Sequence, residues 1–478
     1  MARRDNLKRQ RHGRHGNRKA ARIGRGVACL ALLSIAPLYS HEADAQQPPA
    51  GAVQPSSGTT APQFSSFLQN WANQDTATGN WGGVRTSLED FGINLRGHWT
   101  TESAFNPVGG TAEAGAYTQQ FDFGADLDLD KLIGLQGGTV QITFVDRGGA
   151  SLSAEALGNN LFPVQELYGA GNNFRLTDLN YQQNLLDDKI TFQIGWSPIG
   201  DHFATDPIFC HFQSGAMCGH PKSNSTNDPG WHNFPASQWG ARILFRPVDD
   251  FYAQTGIYQA NPNAGNHDQG FNLSFSGTGV VIPVEVGWTP QHGIGGMPGA
   301  FRLGGYYDTS QGKDVLEDAA GQSAVLAGAP FAERNGHWGI YAMATQTVYQ
   351  EANNPKRGLS LFAIATTADP QTSKMRYFFA AGGSYQGTFA NRDDDFVSFL
   401  VAYTRINNRL SSSQEDQNTI SPGSVGIQRD EAVFEIDYSA AVTKWLSIRP
   451  NIQYVMNPAA AGKVPNAFVL GLYTRVTF

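Results

Sequence analysis

Carboxylates and bases recur at even spacing along this chain, and the spacing limits the chemistry they can do. Asp122, Asp126 and Asp128 alternate with Phe121, Phe123, Ala125 and Leu127, while Arg96, His98 and Glu102 alternate with Ile93, Leu95, Gly97 and Trp99. Arg242 and Arg246 oppose Trp239, Ala241, Ile243 and Phe245. Glu435 and Asp437 oppose Phe434, Ile436 and Tyr438, and Arg449 and Gln453 oppose Ile448, Ile452 and Tyr454. A carboxylate pair such as Asp122 and Asp126 is what a glycosidase uses, one acid protonating the leaving oxygen while the other attacks or activates water. In a strand, however, side chains point to opposite faces with period two, so these acids share one face with many other charges and no pair stands apart. There is no G-x-S-x-G, H-E-x-x-H or P-loop. The set reads as a polar wall, and no enzyme is expected.

A second group gathers in one long segment: Cys210 and Cys218 with His202, His211, His220 and His232. These are metal-ligand residue types, but they lack the short C-x-x-C spacing and a regular element to hold them. A disulfide between Cys210 and Cys218, pinning a long loop, is the expected use in an exported chain. No metal or cofactor is expected. Trp231 and Phe234 close the same segment and are the candidates for narrowing a channel if the loop folds inward.

The elements that position these residues are strands. Only 16% of residues are charged, 11% are aromatic and 54 are glycine. The apolar runs are far shorter than the roughly 20 residues of a membrane-spanning helix. A negative mean hydropathy suits a barrel with a polar lumen instead. Residues 1–26 carry ten bases against one acid, Val27 to Leu38 is an apolar stretch, and Ala43-Asp44-Ala45 is an A-x-A site, so 1–45 reads as a cleaved secretory signal. Cleavage leaves 24 bases against 38 acids, a net charge of −14, which argues against nucleic acid as a partner.

Residues 46–78 form a Pro, Gln and Ser-rich segment in which Phe64, Phe67, Leu68 and Trp71 predict a short amphipathic helix. A second is predicted over Val84 to Phe91. From Ile93 onward the alternation predicts strands at 93–105, 121–130, 139–145, 175–183, 189–197 and 238–246. More follow at 251–260, 280–288, 300–308, 337–348, 358–367, 375–386 and 396–405, and three end the chain near 432–438, 446–454 and 468–478. Short links such as 185–188 and 247–250 alternate with long ones such as 148–173, 198–236 and 309–336. Short turns at one end and long loops at the other mark an outer-membrane barrel, not a sandwich. The outward aromatics Trp99, Trp196 and Trp239 are placed in its interfacial girdles. Its final strand ends on Phe478, an aromatic of the kind outer-membrane assembly machinery recognises.

Three blocks together resemble the carbohydrate-selective porin (OprB) family. They are Gly79-Asn-Trp81-Gly-Gly-Val-Arg85 running on through Leu88 and Gly92-Ile93 to Asn106 and Gly109-Gly110; Leu179 to Gly195; and Glu431 to Phe478 with Trp445-Leu446, Arg449-Pro450, Gln453-Tyr454 and Asn457-Pro458. The likeness spans residue 79 to the end. It implies an all-β, transmembrane, antiparallel up-and-down barrel of about 16 strands over 79–478. Such a channel sits in the outer membrane of a Gram-negative bacterium, contacts lipid outside, and passes small sugars and polyols. Sugars offer hydroxyls to charged groups and C–H faces to aromatic rings, so the polar parity (Arg96, His98, Glu102, Asp122, Asp126, Asp128, Arg242, Arg246, Glu435, Asp437, Arg449 and Gln453) is expected to line the pore. A general or cation-preferring porin and a soluble periplasmic sugar-binding protein are the alternatives. Ala459-Ala460-Ala461 departs from the family pattern, where a glycine follows Asn457-Pro458.

Overall fold

The computed structural model describes residues 61–168, 171–217 and 219–478. The signal segment and the tract up to residue 60 lie outside these. Two short helices come first, α1 (Ala61–Ala72) and α2 (Val84–Phe91). Trp71 at the end of α1 packs on Trp445 with ring centroids 4.4 Å apart, and Trp445 Nε1 donates to the Trp71 carbonyl. α2 ends on Gly92, whose left-handed φ of 102° turns the chain sharply into the first strand.

Sixteen strands follow. They are β1 (Ile93–Val108), β2 (Ala114–Asp128), β3 (Gly138–Gly149), β4 (Asn173–Leu185) and β5 (Ile190–Ser197). Next come β6 (Gln238–Val248), β7 (Phe251–Ala260), β8 (Gly279–Trp288), β9 (Gly299–Lys313) and β10 (Glu333–Glu351). The set ends with β11 (Asn354–Ala368), β12 (Met375–Gln386), β13 (Phe396–Ile406), β14 (Asp430–Ala441), β15 (Leu446–Met456) and β16 (Ala467–Thr477). Each pairs antiparallel with its chain neighbour, and β1 also pairs with β16, so the sheet closes without an edge. Closure leaves no row of unpaired amides, which hydrocarbon could not satisfy.

The strands run longer than alternation alone predicts at several ends, notably β2, β9 and β10, where Gly and small polar residues carry no apolar period. At one end the prediction overshoots. The Asp128 carboxylate caps a helical turn, α3 (Leu129–Ile133), by accepting from the amides of Asp130 and Lys131. Leu129 and Asp130 are therefore helical, and Asp128 is a cap at the short-turn end of the barrel, not a lumen residue. Capping satisfies amides that a strand end would leave open.

The apolar parity faces out. Phe123, Phe192, Ile243, Leu303, Phe399 and Leu470 are all exposed on the outer surface. Trp196 is the exception among the expected girdle tryptophans: only 3% of it is exposed. It stacks edge-on against Trp239, which in turn lies flat on Phe275 of the β7–β8 loop. Its Nε1 donates to the Leu176 carbonyl, so it is a covered packing residue.

Ala459 and Ala460, which follow Asn457-Pro458, sit at φ 61° and 60°, a left-handed conformation that costs an L-residue about 1 kcal/mol or more. Ala459→Gly is expected to stabilise the β15–β16 connection by about 1 kcal/mol, read as a higher unfolding temperature in detergent. On the outer face, Arg at Phe192 is expected to destabilise the inserted barrel by roughly 2–4 kcal/mol if it lies near the bilayer centre. Unchanged heat-modifiable mobility of Phe192→Arg would contradict the assignment of this face to lipid.

Candidate functional site

Two loops fold into the barrel and take up part of its lumen. Leu152, Leu157, Phe162 and Val164 of the β3–β4 loop are fully buried, as are Ile199, Phe203, Phe209, Phe212 and Met217 of the β5–β6 loop. They pack against inward strand residues such as Tyr258, Tyr341, Phe362, Phe378, Leu400 and Val433. The hydrophobic core of this protein thus lies inside the barrel, between loop and wall. At about 25 cal/mol per Å² of apolar area, burial of so many large side chains is a strong drive toward the folded-in loop.

Buried carboxylates on the wall hold the loops in register. Glu435 accepts from the amides of Gln213 at 2.6 Å and Ser214 at 3.0 Å, one on each carboxylate oxygen. Glu431 does the same for Leu161 and Phe162, both at 2.8 Å, and also takes the Ala459 amide at 2.7 Å. Glu102 accepts from Leu167, and Glu285 from Ala204. Arg449 completes the set from the donor side, its guanidinium giving hydrogen bonds to the Cys210 carbonyl at 2.6 Å and the Phe212 carbonyl at 3.3 Å. That guanidinium also lies 4.1 Å over the Tyr473 ring and 3.6 Å from Asp437. Gln453 donates to the Val164 carbonyl.

The other inward charges pair along the wall. Arg96 bridges Asp126 at 2.8 Å, and His98 meets Asp122 at 2.7 Å. Both pairs keep partial exposure to the lumen. Arg242 is buried against the side-chain oxygens of Gln193 and Gln254. Arg246 is exposed at the short-turn rim, where it faces the Tyr252 ring.

Between the two loops and the wall lies a cavity of about 480 Å³. Arg147, Glu166, Lys222, Asn233 and Phe234 line it, with Trp231 behind. Trp231 is 1% exposed and its ring packs 5.1 Å from Tyr306, so it forms part of the wall of this space, and half-buried Phe234 lines it too. The lining mixes two cations, one carboxylate, amides and aromatic surface.

The carbohydrate-selective porin, OprB family model matches residues 112–478. The chain belongs to this family. Porin B of Pseudomonas aeruginosa is 32% identical over 97% of this chain and 99% of its own length. The putative porin QuiX of Acinetobacter baylyi is 28% identical over 89% of this chain and 97% of its own. Among solved structures, the high-pH form of Pseudomonas putida OprB is 33% identical, with a TM-score of 0.82 over 85% of this chain and 99% of that one. The protein is thus an outer-membrane porin for carbohydrates.

In this porin, several sequence-predicted pore residues lie under the loops. Glu102, Glu435, Asp437, Arg449 and Gln453 are almost fully covered, because the loops occupy the lumen at their height. The expected disulfide involves Cys218, which lies outside the described residues; among the described residues, Glu435 and Arg449 grip the β5–β6 loop. The four loop histidines do not converge either; among the described residues no three of them bring ligand atoms together. The cavity residues Arg147, Glu166 and Lys222, and the gripping acids Glu431 and Glu285, escaped sequence reading. Arg147 was within reach, since it continues the inward parity of Thr143 and Val145 past the point where apolar alternation stops.

Burial, aided for His202 by Arg242 and for His211 by Arg449, holds the imidazoles of His211, His220 and His232 at about 4 and that of His202 at about 3. In the undocked loop each titrates near 6.5. Between those values the undocked loop takes up protons that the docked loop refuses. The contribution of these four histidines to docking is therefore at full strength above about pH 6.5 and is lost as pH falls toward about 4. Limited proteolysis of the folded porin at pH 7.5 and 4.5 checks this, with faster cleavage between 198 and 237 expected at the lower pH. Replacing Glu435 with Ala strands two buried amides, at a cost of about 1–3 kcal/mol each. Single-channel recording of Glu435→Ala is expected to show higher, noisier conductance while heat-modifiable mobility persists.

Proposed function

We propose that monosaccharides and related polyols diffuse passively through this porin by way of the cavity between the two folded-in loops, with Arg147, Glu166, Lys222 and Asn233 exchanging hydrogen bonds with sugar hydroxyls and Phe234 offering ring surface. The observation that carries the reading is the composition of that lining, together with a volume of about 480 Å³, within the roughly 300–1,000 Å³ of small-molecule sites. Flux needs contacts strong enough to admit a solute and weak enough to release it, and dispersed hydrogen bonds on a wet wall meet both demands.

Catalysis is disfavoured by the same lining. Glycoside hydrolysis needs two carboxylates facing one another across the sugar. Among the described residues Glu166 is the one carboxylate lining the cavity, while Glu102 and Glu435 are committed to loop amides. Cation preference is disfavoured too, since Arg147 and Lys222 outnumber Glu166 there.

Liposome swelling compares the porin with its Arg147→Ala and Lys222→Ala variants. Each lost hydroxyl contact is worth about 1 kcal/mol, so the preference for glucose over an amino acid of similar size is expected to fall about fivefold per variant. Equal permeation of the two solutes through the unaltered protein would end the selectivity assignment.

A further inference from the structure

Among the buried polar atoms left without a partner, several fall together in a cluster near the long-loop end. Asp228 follows the helical turn Lys222–Asn227 of the β5–β6 loop, Asp308 lies on β9 and His337 on β10. Their exposures are 0%, 0% and 4%. One donor atom from each lies within 4.8 Å of the others. Asp228 Oδ2, Asp308 Oδ2 and both ring nitrogens of His337 have no hydrogen-bond partner. The remaining carboxylate oxygens are held: Asp228 Oδ1 accepts from the Gly230 amide at 2.8 Å, and Asp308 Oδ1 from the Ser310 amide at 2.7 Å. Those bonds fix how the two carboxylates face the imidazole.

The spacing discriminates between two uses of such a triad. His337 Nε2 is 3.5 Å from Asp228 Oδ1 and 3.6 Å from Asp308 Oδ2. An imidazolium shared between two carboxylates would draw them to about 2.7–2.9 Å. Donors bound to one tetrahedral ion at about 2.0–2.1 Å stand roughly 3.3 Å apart, which is closer to what is seen.

We propose that Asp228, Asp308 and His337 bind a first-row divalent cation, Zn²⁺ fitting best, which ties the pore-filling loop to the wall. One imidazole with two carboxylates suits such an ion, whereas Ca²⁺ takes six to eight oxygens. The two carboxylates neutralise the dication, so the ion can be buried without leaving net charge. The site lies apart from the gripping acids Glu102, Glu431 and Glu435 and is independent of which solute crosses.

The test uses the full-length mature porin folded in detergent, stripped with EDTA and titrated with Zn²⁺ by calorimetry, with bound metal counted by mass spectrometry. One ion per chain is expected, together with a higher unfolding temperature on zinc addition. His337→Gln and Asp308→Asn are expected to weaken binding by more than about a hundredfold, beyond the ~10–100-fold that loss of an outer-sphere partner produces. Heat-modifiable mobility verifies that each variant is folded, and His337→Gln serves if Asp308→Asn does not fold. Failure of the folded unaltered protein to bind zinc stoichiometrically overturns the site, as does unchanged binding by folded His337→Gln. A midpoint that moves with pH but not with zinc also overturns it and makes His337 a bridging imidazolium.

Discussion

Carboxylates buried on the barrel wall, each accepting backbone amides from a loop turned inward, are the interaction on which this structure depends. Glu431 and Glu435 each receive paired amides, and Glu102 and Glu285 receive one amide each from a loop. A loop that leaves water must satisfy its own backbone, and an irregular segment has no ladder to do it with. An ionised carboxylate is a strong acceptor with room for several donors, so one side chain can serve a whole turn. The arrangement resembles a helix N-cap turned outward from the loop onto its surroundings. Without it, the apolar side chains of the same loops would have to be buried at the expense of orphaned amides.

That grip makes an inside-out protein. Most barrels of this size keep an aqueous lumen and a hydrocarbon exterior; here a packed apolar core of loop and wall residues takes up part of the lumen. Polar and apolar positions both face inward, the former where loop backbone or water must be met and the latter where loop side chains press. The passage left for solute is set by loop packing more than by barrel diameter. This fits a family selective for carbohydrates, since a wall that admits sugars by dispersed hydrogen bonds must also be narrow enough for the solute to touch it.

How much of this was legible in the chain varies by residue. Phe123, Phe192 and Leu470 were placed on the outer face correctly, because period two survives any change of partner. Arg96 with Asp126 and His98 with Asp122 share the polar face, and their meeting follows from register across β1 and β2. Trp196 carried the same outward parity, yet the neighbouring loop covers it through Trp239 and Phe275. Glu435 and Arg449 read as lumen charges, but nothing local reveals that residues 210–214, more than two hundred positions earlier, come to lie on them. Asp228, Asp308 and His337 carry no spacing signal at all, as each comes from a different element.

The sequence by itself determined the strands, their faces, the alternation of short turns with long loops and the family, because each of these is written in local periodicity or in contiguous motifs. Only the tertiary structure decided which acids grip a loop, where the core lies and what shape remains for a solute. Those depend on where a long, irregular segment comes to rest. Its position is fixed by long-range packing and hydrogen bonding, for which neighbouring residues along the chain hold no record.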